Sequence, residues 1–167
     1  MILNPEGAGT DPLRAQVAQV HRKAMLITLA MTASIVIYVV IGIVVVSTRE
    51  GRAGLEQPPL AFVTLVTFLA LGSTVLRRTQ LRQMRLEAVA GTRGIDGLLR
   101  HLFTMTIISA ALAEAIGILA LLVSFFGGDQ FYVVIFGVVA LVVMLSSYPR
   151  RAAWEKIAEY FATTLAR

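Results

Sequence analysis

The chain has 167 residues, of which 57% are hydrophobic and only 15% are charged, and its mean hydropathy is +0.77. Soluble domains are usually about 45–50% apolar and about 25% charged, so a soluble globular fold is disfavoured. The chain contains no cysteine, which excludes disulfides, thiolate metal sites and cysteine nucleophiles. The net charge of +5 would favour nucleic acid as the partner of a soluble protein. Because the basic residues border long apolar segments, we expect the lipid bilayer as the partner and no nucleic acid.

Four apolar segments follow one another along the chain and predict four membrane-spanning helices, called spans 1 to 4. They cover residues 25–48, 60–76, 102–126 and 131–148. At about 1.5 Å per residue, segments of this size suit a hydrocarbon core of about 30 Å. They lack the alternation of a barrel strand, and a helix satisfies its own backbone in lipid. The expected fold is therefore all-α, a polytopic membrane protein with four transmembrane helices.

The spans divide the chain into five regions. These are a cytoplasmic N-terminal tail able to form an interfacial helix (1–23), a first helical hairpin (24–78), a basic cytoplasmic connection (79–101), a second helical hairpin (102–148) and an amphipathic C-terminal interfacial helix (149–167). The connection is expected to continue span 2 as a helix and to break at Gly91 and Gly94.

The distribution of basic residues predicts the orientation. Thirteen of the fifteen Lys and Arg residues lie in the two tails and the central connection, and only Arg49 and Arg52 lie on the other side. All three basic regions fall on one side of a four-span topology. The positive-inside rule then places both termini in the cytoplasm of a multi-pass protein in the bacterial inner (plasma) membrane.

Spans 1 and 3 suggest an internal repeat. At an offset of 75 residues, "MTASIVIYVVIGIVV" aligns with "TIISAALAEAIGILA", so that Gly42 falls on Gly117 and Val39 on Glu114. Two hairpins of the same topology would be related by an axis along the membrane normal. The sequence predicts a tandem-repeated helical hairpin, with chance similarity between apolar helices as the other reading.

A single carboxylate interrupts the third span. Glu114 has no charged residue within twelve positions on either side, and a charge at mid-bilayer costs about 2.5–3.5 kcal/mol on insertion scales. We therefore expect it to face other helices and to find a polar partner. The candidates at similar depth are Tyr38 in span 1 and Thr64 or Thr67 in span 2, and Tyr38 fits the repeat best.

Small residues beside Glu114 indicate a helix-packing face. Ser109, Ala113 and Gly117 recur every four positions, a spacing that lets another helix approach closely. Three roles remain open for Glu114: an interhelical polar contact, a proton or ion site, and a contact with a partner subunit.

The acidic segment also carries a family resemblance. Residues 109–126, "SAALAEAIGILALLVSFF", resemble the carboxylate-bearing helix of rotary ATPase proteolipid (c) subunits, which implies an ion-carrying role for Glu114. The chain departs from that family in lacking the glycine stripe and polar loop, and its acid lies on the first helix of a hairpin. Overall the chain is similar to small four-span bacterial membrane proteins with an acid in span 3, a likeness that implies no activity.

The C-terminal segment is amphipathic, and it reads "PRRAAWEKIAEYFATTLAR". Aromatic rings suit the headgroup region, so Trp154, Tyr160 and Phe161 are predicted to be interfacial anchors. The segment is expected to lie on the membrane or to dock on a soluble partner. His21 and His101 lie at the cytoplasmic ends of spans 1 and 3. Four-helix membrane bundles can hold a haem between two histidines, but we expect these two side chains to be solvated.

No enzyme signature is visible in the sequence. It contains no glycine-rich phosphate loop, zinc motif or nucleophile–base set. We expect a small non-enzymatic integral membrane subunit or scaffold without cofactor or metal, an accessory component of a larger membrane complex. Its partners would be other membrane-protein subunits or further copies of itself. The alternative is a proton- or ion-translocating element that uses Glu114.

Overall fold

The computed structural model describes residues 10–48, 60–80, 83–126 and 129–165. In these ranges the chain forms five helices and no strand: α1 (Thr10–Ser47), α2 (Leu60–Gln80), α3 (Gln83–Phe125), α4 (Gln130–Ser146) and α5 (Arg151–Leu165). Four stretches are long and apolar enough to cross a membrane, so the all-α fold with four candidate spans is confirmed. Arg49 and Arg52, on which the predicted asymmetry also depends, lie outside the described residues.

Helix α1 is longer than the predicted span. It runs through 38 residues without interruption, so the expected tail and span 1 form one helix. Neither Gly nor Pro occurs between residues 13 and 41 to break it. At about 1.5 Å per residue it extends roughly 57 Å, well beyond the hydrocarbon core. Its N-terminal part packs on α3 and α5 through Val17 and Ala24.

Helix α3 also extends beyond its span, but it bends. Gly94 has φ 65° and ψ −167°, a left-handed φ that favours glycine, and the helix changes direction there. Gly91, the other predicted break, stays within the helix. Helix α3 begins at Gln83 after α2 has ended at Gln80.

The central element is α3. It contacts each of the other four helices, and half of its most apolar window is buried inside the chain, compared with 11% for α1 and α2. Helices α1 and α2 each pack on both α3 and α4, yet in the described ranges they do not touch one another. The α3–α4 pair therefore lies between them.

Two separate cores result from this arrangement. The span core lies among the four helices α1, α2, α3 and α4. It consists of Ile35, Val66, Ala110, Ala113, Ile116, Leu119, Ala120, Val123, Phe136, Ala140, Val143 and Met144. The tail core joins the extensions of α1 and α3 to α5 and consists of Val17, Ala24, Leu86, Ala90, Leu98, Leu99, Leu102, Trp154, Ala158 and Phe161. The regions predicted as tails and connection are thus a packed helical layer.

Candidate functional site: the Glu114 seam

Glu114 meets Tyr38 where α3 packs on α1. The Tyr38 hydroxyl donates to Glu114 Oε1 at 3.4 Å, and both side chains are half-buried. This distance is at the long end of the hydrogen-bond range, so the bond is weak. The structure therefore brings together the two polar side chains that the sequence singled out for span 1 and span 3.

The carboxyl group lies at the edge of the seam and not at its centre. Ala110 and Gly117 are buried, whereas Ala111 and Ile118, on the neighbouring face of α3, are exposed. Residues three and four positions apart share a helix face, so Glu114 borders both faces. The expectation that it would turn away from the outer surface is only half met.

The small-residue stripe faces inward. Ser109, Ala113 and Gly117 are all buried. A Cβ added at Gly117 would lie 3.0 Å from Cγ1 of Ile35 on α1, so this glycine allows close helix packing. The close approach of Ile35 to Gly117 brings α1 against α3 one turn from the Tyr38–Glu114 contact.

A second close approach was not predicted from the sequence. Gly137 on α4 packs so tightly on Val39 that a Cβ there would collide with it, and a Cβ at Gly42 would lie 2.8 Å from Val133. The signal was present, because glycine inside an apolar span often marks close packing. The sequence did not show which partner each glycine meets, because that depends on the relative rotation of the helices.

The two threonines considered as partners of Glu114 lie elsewhere. Thr64 and Thr67 are exposed on α2, and the Thr67 hydroxyl donates to its own helix at the Val63 carbonyl, 2.8 Å away. Helix α2 also makes no contact with α1 in the described ranges. A hydroxyl satisfied on its own backbone has little need of another partner.

The predicted interfacial anchors divide into two groups. Trp154 and Phe161 are 5% and 4% exposed and belong to the tail core, whereas Tyr160 is 51% exposed. Helix α5 thus docks on α1 and α3 of its own chain, a possibility not considered from the sequence. The physical reason is that the long α1 and α3 extensions present an apolar surface for α5 to cover.

The docked helix is also tied at its polar edge. Arg14 Nη2 lies 2.9 Å from Glu159 Oε1, which joins the start of α1 to α5. In a second exposed contact, Gln16 Nε2 of α1 donates to Asp96 Oδ1 of α3. These exposed contacts fix the register of the three helices more than they stabilise them.

The histidines are not solvated as expected. His21 is buried, its Nε2 lies 3.0 Å from the Pro149 carbonyl oxygen, and its ring meets Trp154 edge-on at 5.6 Å. Within the described ranges, His101 Nε2 is buried and has no hydrogen-bond partner. His21 therefore fixes the corner between α4 and α5. Among the described residues, no three His, Cys, Asp or Glu side chains group as metal ligands would.

Comparison of the chain with protein-family models, with curated proteins and with solved structures gives no match. The function must therefore be inferred from the seam and the surfaces themselves.

Proposed function

We propose that α1 to α4 cross the bacterial inner membrane and that both termini, α5 and the tail core lie in the cytoplasm. Large apolar side chains point outward from three of these helices: Leu26, Leu29, Ile37, Val40 and Val44 on α1, Leu60, Phe68, Leu71 and Val75 on α2, and Val138, Val142 and Leu145 on α4. In water such a surface would drive aggregation, whereas lipid accommodates it. The basic residues of the tails and connection then face the cytoplasm.

The two hairpins, 24–78 and 102–148, are proposed copies of one ancestral hairpin. The aligned glycines Gly42 and Gly117 support this, because each receives an aliphatic side chain of a neighbouring helix, Val133 and Ile35 respectively. After duplication the two copies diverged in packing, since α3 contacts α4 directly and α1 does not contact α2.

The function that the seam favours is that of a non-enzymatic accessory subunit of a larger membrane complex. The supporting observation is the half-buried carboxyl group at mid-span. Glu114 receives one long hydrogen bond, to Oε1, within the described chain. Polar groups left open to lipid are costly, and interhelical hydrogen bonds relieve that cost.

The face beside Glu114 suits a docking helix. Ala111 is exposed and Ala115 is half-buried, so two small residues one turn apart border the carboxyl group. This spacing allows a partner helix to approach closely enough to donate a hydrogen bond. The partner we propose is a transmembrane helix of another subunit that carries a hydrogen-bond donor.

Site-specific photo-crosslinking in intact cells tests this proposal. A benzophenone side chain at Ile118 should yield a discrete crosslink, whereas one at Val142, which is 60% exposed on α4, should react with lipid only. The Ile118 crosslink should disappear in a Glu114→Leu background and persist with Glu114→Gln. Equal crosslinking from both positions, or a crosslink indifferent to Glu114→Leu, would refute the docking face.

A second candidate function is proton or ion translocation through Glu114. It is favoured by the Tyr38–Glu114 contact, which places a second exchangeable proton at the carboxyl group, and by the resemblance of residues 109–126 to the proteolipid helix. A carbodiimide specific for protonated intramembrane carboxylates should then label Glu114. Glu114→Gln should abolish proton flux in reconstituted vesicles while leaving assembly intact, and retained flux in that variant would rule this function out.

A further inference from the structure

Two adjoining cavities open where α2 and α4 end and α5 begins. The first, about 670 Å³ with its open mouth, is bordered by Arg77, Arg150 and Trp154, among others. The second, about 810 Å³ including the open space at its mouth, lies between the last turns of α2 and α4. Both are lined by Arg77 and Ser147, so we treat them as one feature, the serine–arginine cleft.

Three largely buried serines have hydroxyl groups that open onto this cleft without a hydrogen-bond partner in the described chain. Ser73, Ser109 and Ser147 are 2%, 4% and 7% exposed, and in the described chain none of their hydroxyls makes a hydrogen bond. Ser109 and Ser147 line the first cavity, and Ser73 and Ser147 line the second. Among the described residues, His101 Nε2 is the one fully buried side-chain nitrogen or oxygen atom without a partner, so the three serine oxygens are accessible from the cleft. A ligand in the cleft could therefore bond to them.

Neighbouring hydroxyl groups show that this is not a general feature of the helices. Thr74 donates to the Ala70 carbonyl at 3.0 Å, Thr106 to Leu102 at 2.9 Å, and Ser146 to Val143 at 2.8 Å. Each of these side chains is one to three positions from an unpartnered serine. Thr106 also lines the first cavity, and Thr74 and Ser146 line the second. The three serines therefore differ from these neighbours in lacking a backbone partner, and not in facing the cavity.

The charge of the cleft is positive. Arg77 and Arg150 line the first cavity and Arg78 the second, and no acidic residue lines either. Within the described ranges these three arginines make no ion pair, and Glu155 is already held by Arg151 at 2.7 Å. Arginine binds the oxygens of a phosphate group through two parallel hydrogen bonds. Unpaired guanidinium groups beside free hydroxyls are suited to phosphate.

The outer faces of α2 and α4 beside the cleft indicate which kind of phosphate compound it would bind. Leu71 and Val75 on α2, and Val142 and Leu145 on α4, are all about 60% exposed and lie within four positions of cleft-lining residues along their helices. An apolar surface next to a phosphate site fits a molecule with acyl chains better than a free anion. A zwitterionic headgroup would bring an ammonium group to a cleft without acids.

We propose that the serine–arginine cleft binds the phosphate of an anionic glycerophospholipid. Arg77 and Arg150 pair with the phosphate, the serine hydroxyls donate to its oxygens, and the acyl chains lie along the outer faces of α2 and α4. The proposal rests on the membrane insertion proposed above, because only then does the cleft lie at the level of lipid headgroups.

The single tryptophan of the chain, Trp154, lines the cleft and provides a direct assay. Delipidated full-length protein in non-ionic detergent is titrated with short-chain phosphatidylglycerol, with phosphatidylcholine and with inorganic phosphate, while Trp154 emission is recorded. We expect a saturable change with phosphatidylglycerol, at least tenfold weaker binding of phosphatidylcholine, and no saturation with millimolar phosphate. Equal affinity for the two lipids, or saturation by phosphate alone, would overturn the lipid assignment.

Matched variants separate the cleft from bulk charge. Arg77→Gln combined with Arg150→Gln should weaken phosphatidylglycerol binding at least tenfold. Arg22→Gln combined with Lys23→Gln removes the same charge from exposed positions of α1 outside the cleft and should change it less than twofold. Equal losses in both double variants would show non-specific attraction and refute the site.

A gentler pair guards against misfolding of the arginine variant. The double variant Ser109→Ala with Ser147→Ala should keep the helix content and elution volume of the wild type, while its affinity for phosphatidylglycerol falls at least threefold. Unchanged affinity would reject the role of the serines. Resistance to carbonate extraction from membranes tests insertion separately. If the protein is inserted but lipid binding is absent, the cleft proposal alone fails, whereas extraction by carbonate contradicts the proposed membrane topology.

Discussion

The span core and the tail core are built from similar apolar residues but are finished differently at their outer surfaces. Around the span core the outward positions are aliphatic or aromatic, such as Phe68 and Val142. Around the tail core they include charged and amide side chains, two pairs of which meet across helices, Arg14 with Glu159 and Gln16 with Asp96. The inner faces of both layers are apolar and closely packed, so only the composition of the outer faces reflects the surrounding solvent. The change between them marks the membrane boundary that we propose.

The same comparison explains why the helices contact one another through different residue types in the two layers. Inside the span core, helices approach one another through small residues such as Gly117 and Gly137. In the membrane that we propose, lipid would offer little hydrophobic drive, so contact must come from close packing. In the tail core, a tryptophan and a phenylalanine fill the space between α1, α3 and α5. Burial of large rings stabilises a layer that faces water. Mutations should therefore have different effects in the two layers.

The largest effect is expected in the tail core. Trp154→Ala removes a buried ring, and such changes typically cost about 3–5 kcal/mol, enough to undock α5. Tyr160→Ala removes an exposed ring whose edge contact with Phe161 has a centroid distance of 5.1 Å, and should cost about 1 kcal/mol. Tryptic cleavage within α5 measures the difference. Equal cleavage rates in the two variants would mean that α5 is not docked through Trp154.

Next in size is overpacking of the span core. Gly137→Ala places a methyl group against Val39, and such overpacking typically costs about 1–3 kcal/mol. Gly72→Ala is the matched control, because nothing lies within 4 Å of its added Cβ, and alanine is favoured over glycine in helices by up to about 1 kcal/mol. Thermal unfolding in one detergent should rank Gly72→Ala at or above the wild type and Gly137→Ala below it. The reverse order would contradict the α1–α4 contact.

A smaller effect is expected at the Glu114 seam. Glu114→Leu and Tyr38→Phe each remove the interhelical hydrogen bond, which within membranes contributes about 0.6 kcal/mol and at most about 2. Glu114→Gln can still accept from Tyr38 and should be neutral. The double variant Glu114→Leu with Tyr38→Phe should be no less stable than Glu114→Leu alone. Additive losses in unfolding experiments would show that the two side chains do not interact in solution.

The smallest effect belongs to the exposed ion pair of the tail core. Arg14→Gln breaks the contact with Glu159, and exposed pairs of this kind contribute about 0.2–1 kcal/mol. The loss should shrink between low and high salt, because exposed charges are screened. Arg22→Gln, on an exposed position of the same helix, should have no measurable effect at either salt concentration. A loss for Arg14→Gln that is independent of salt would point to packing rather than charge.

Much of the molecule follows from local patterns. The four apolar segments predicted four long helices, and the structure has them, because the length and polarity of a segment depend on its own residues. The left-handed Gly94 lies at one of two predicted breaks, since glycine tolerates that φ, although Gly91 remained helical. Isolation of Glu114 in an apolar segment was likewise sufficient to select it, whereas the ranking of Tyr38 among its partners came from the repeat alignment.

Other features depended on contacts between distant segments. Trp154 and Phe161 were interpreted as membrane anchors, because their amphipathic pattern is the same whether lipid or protein covers them. The apolar surface that covers them comes from α1 and α3, more than fifty residues away along the chain. The serine–arginine cleft escaped notice for the same reason, since its residues are unremarkable singly and become a site only where three helix ends meet.

The sequence by itself determined the all-α fold class, the number of candidate spans and the position of the lone acid within the third of them. Only the tertiary structure decided that α3 is the centre, that α1 and α2 lie apart, and that Glu114 sits at the rim of its seam. The physical reason is that hydropathy and backbone preferences act over a few residues. Which helix faces which depends on how small residues such as Gly117 and Gly137 fit the side chains opposite them.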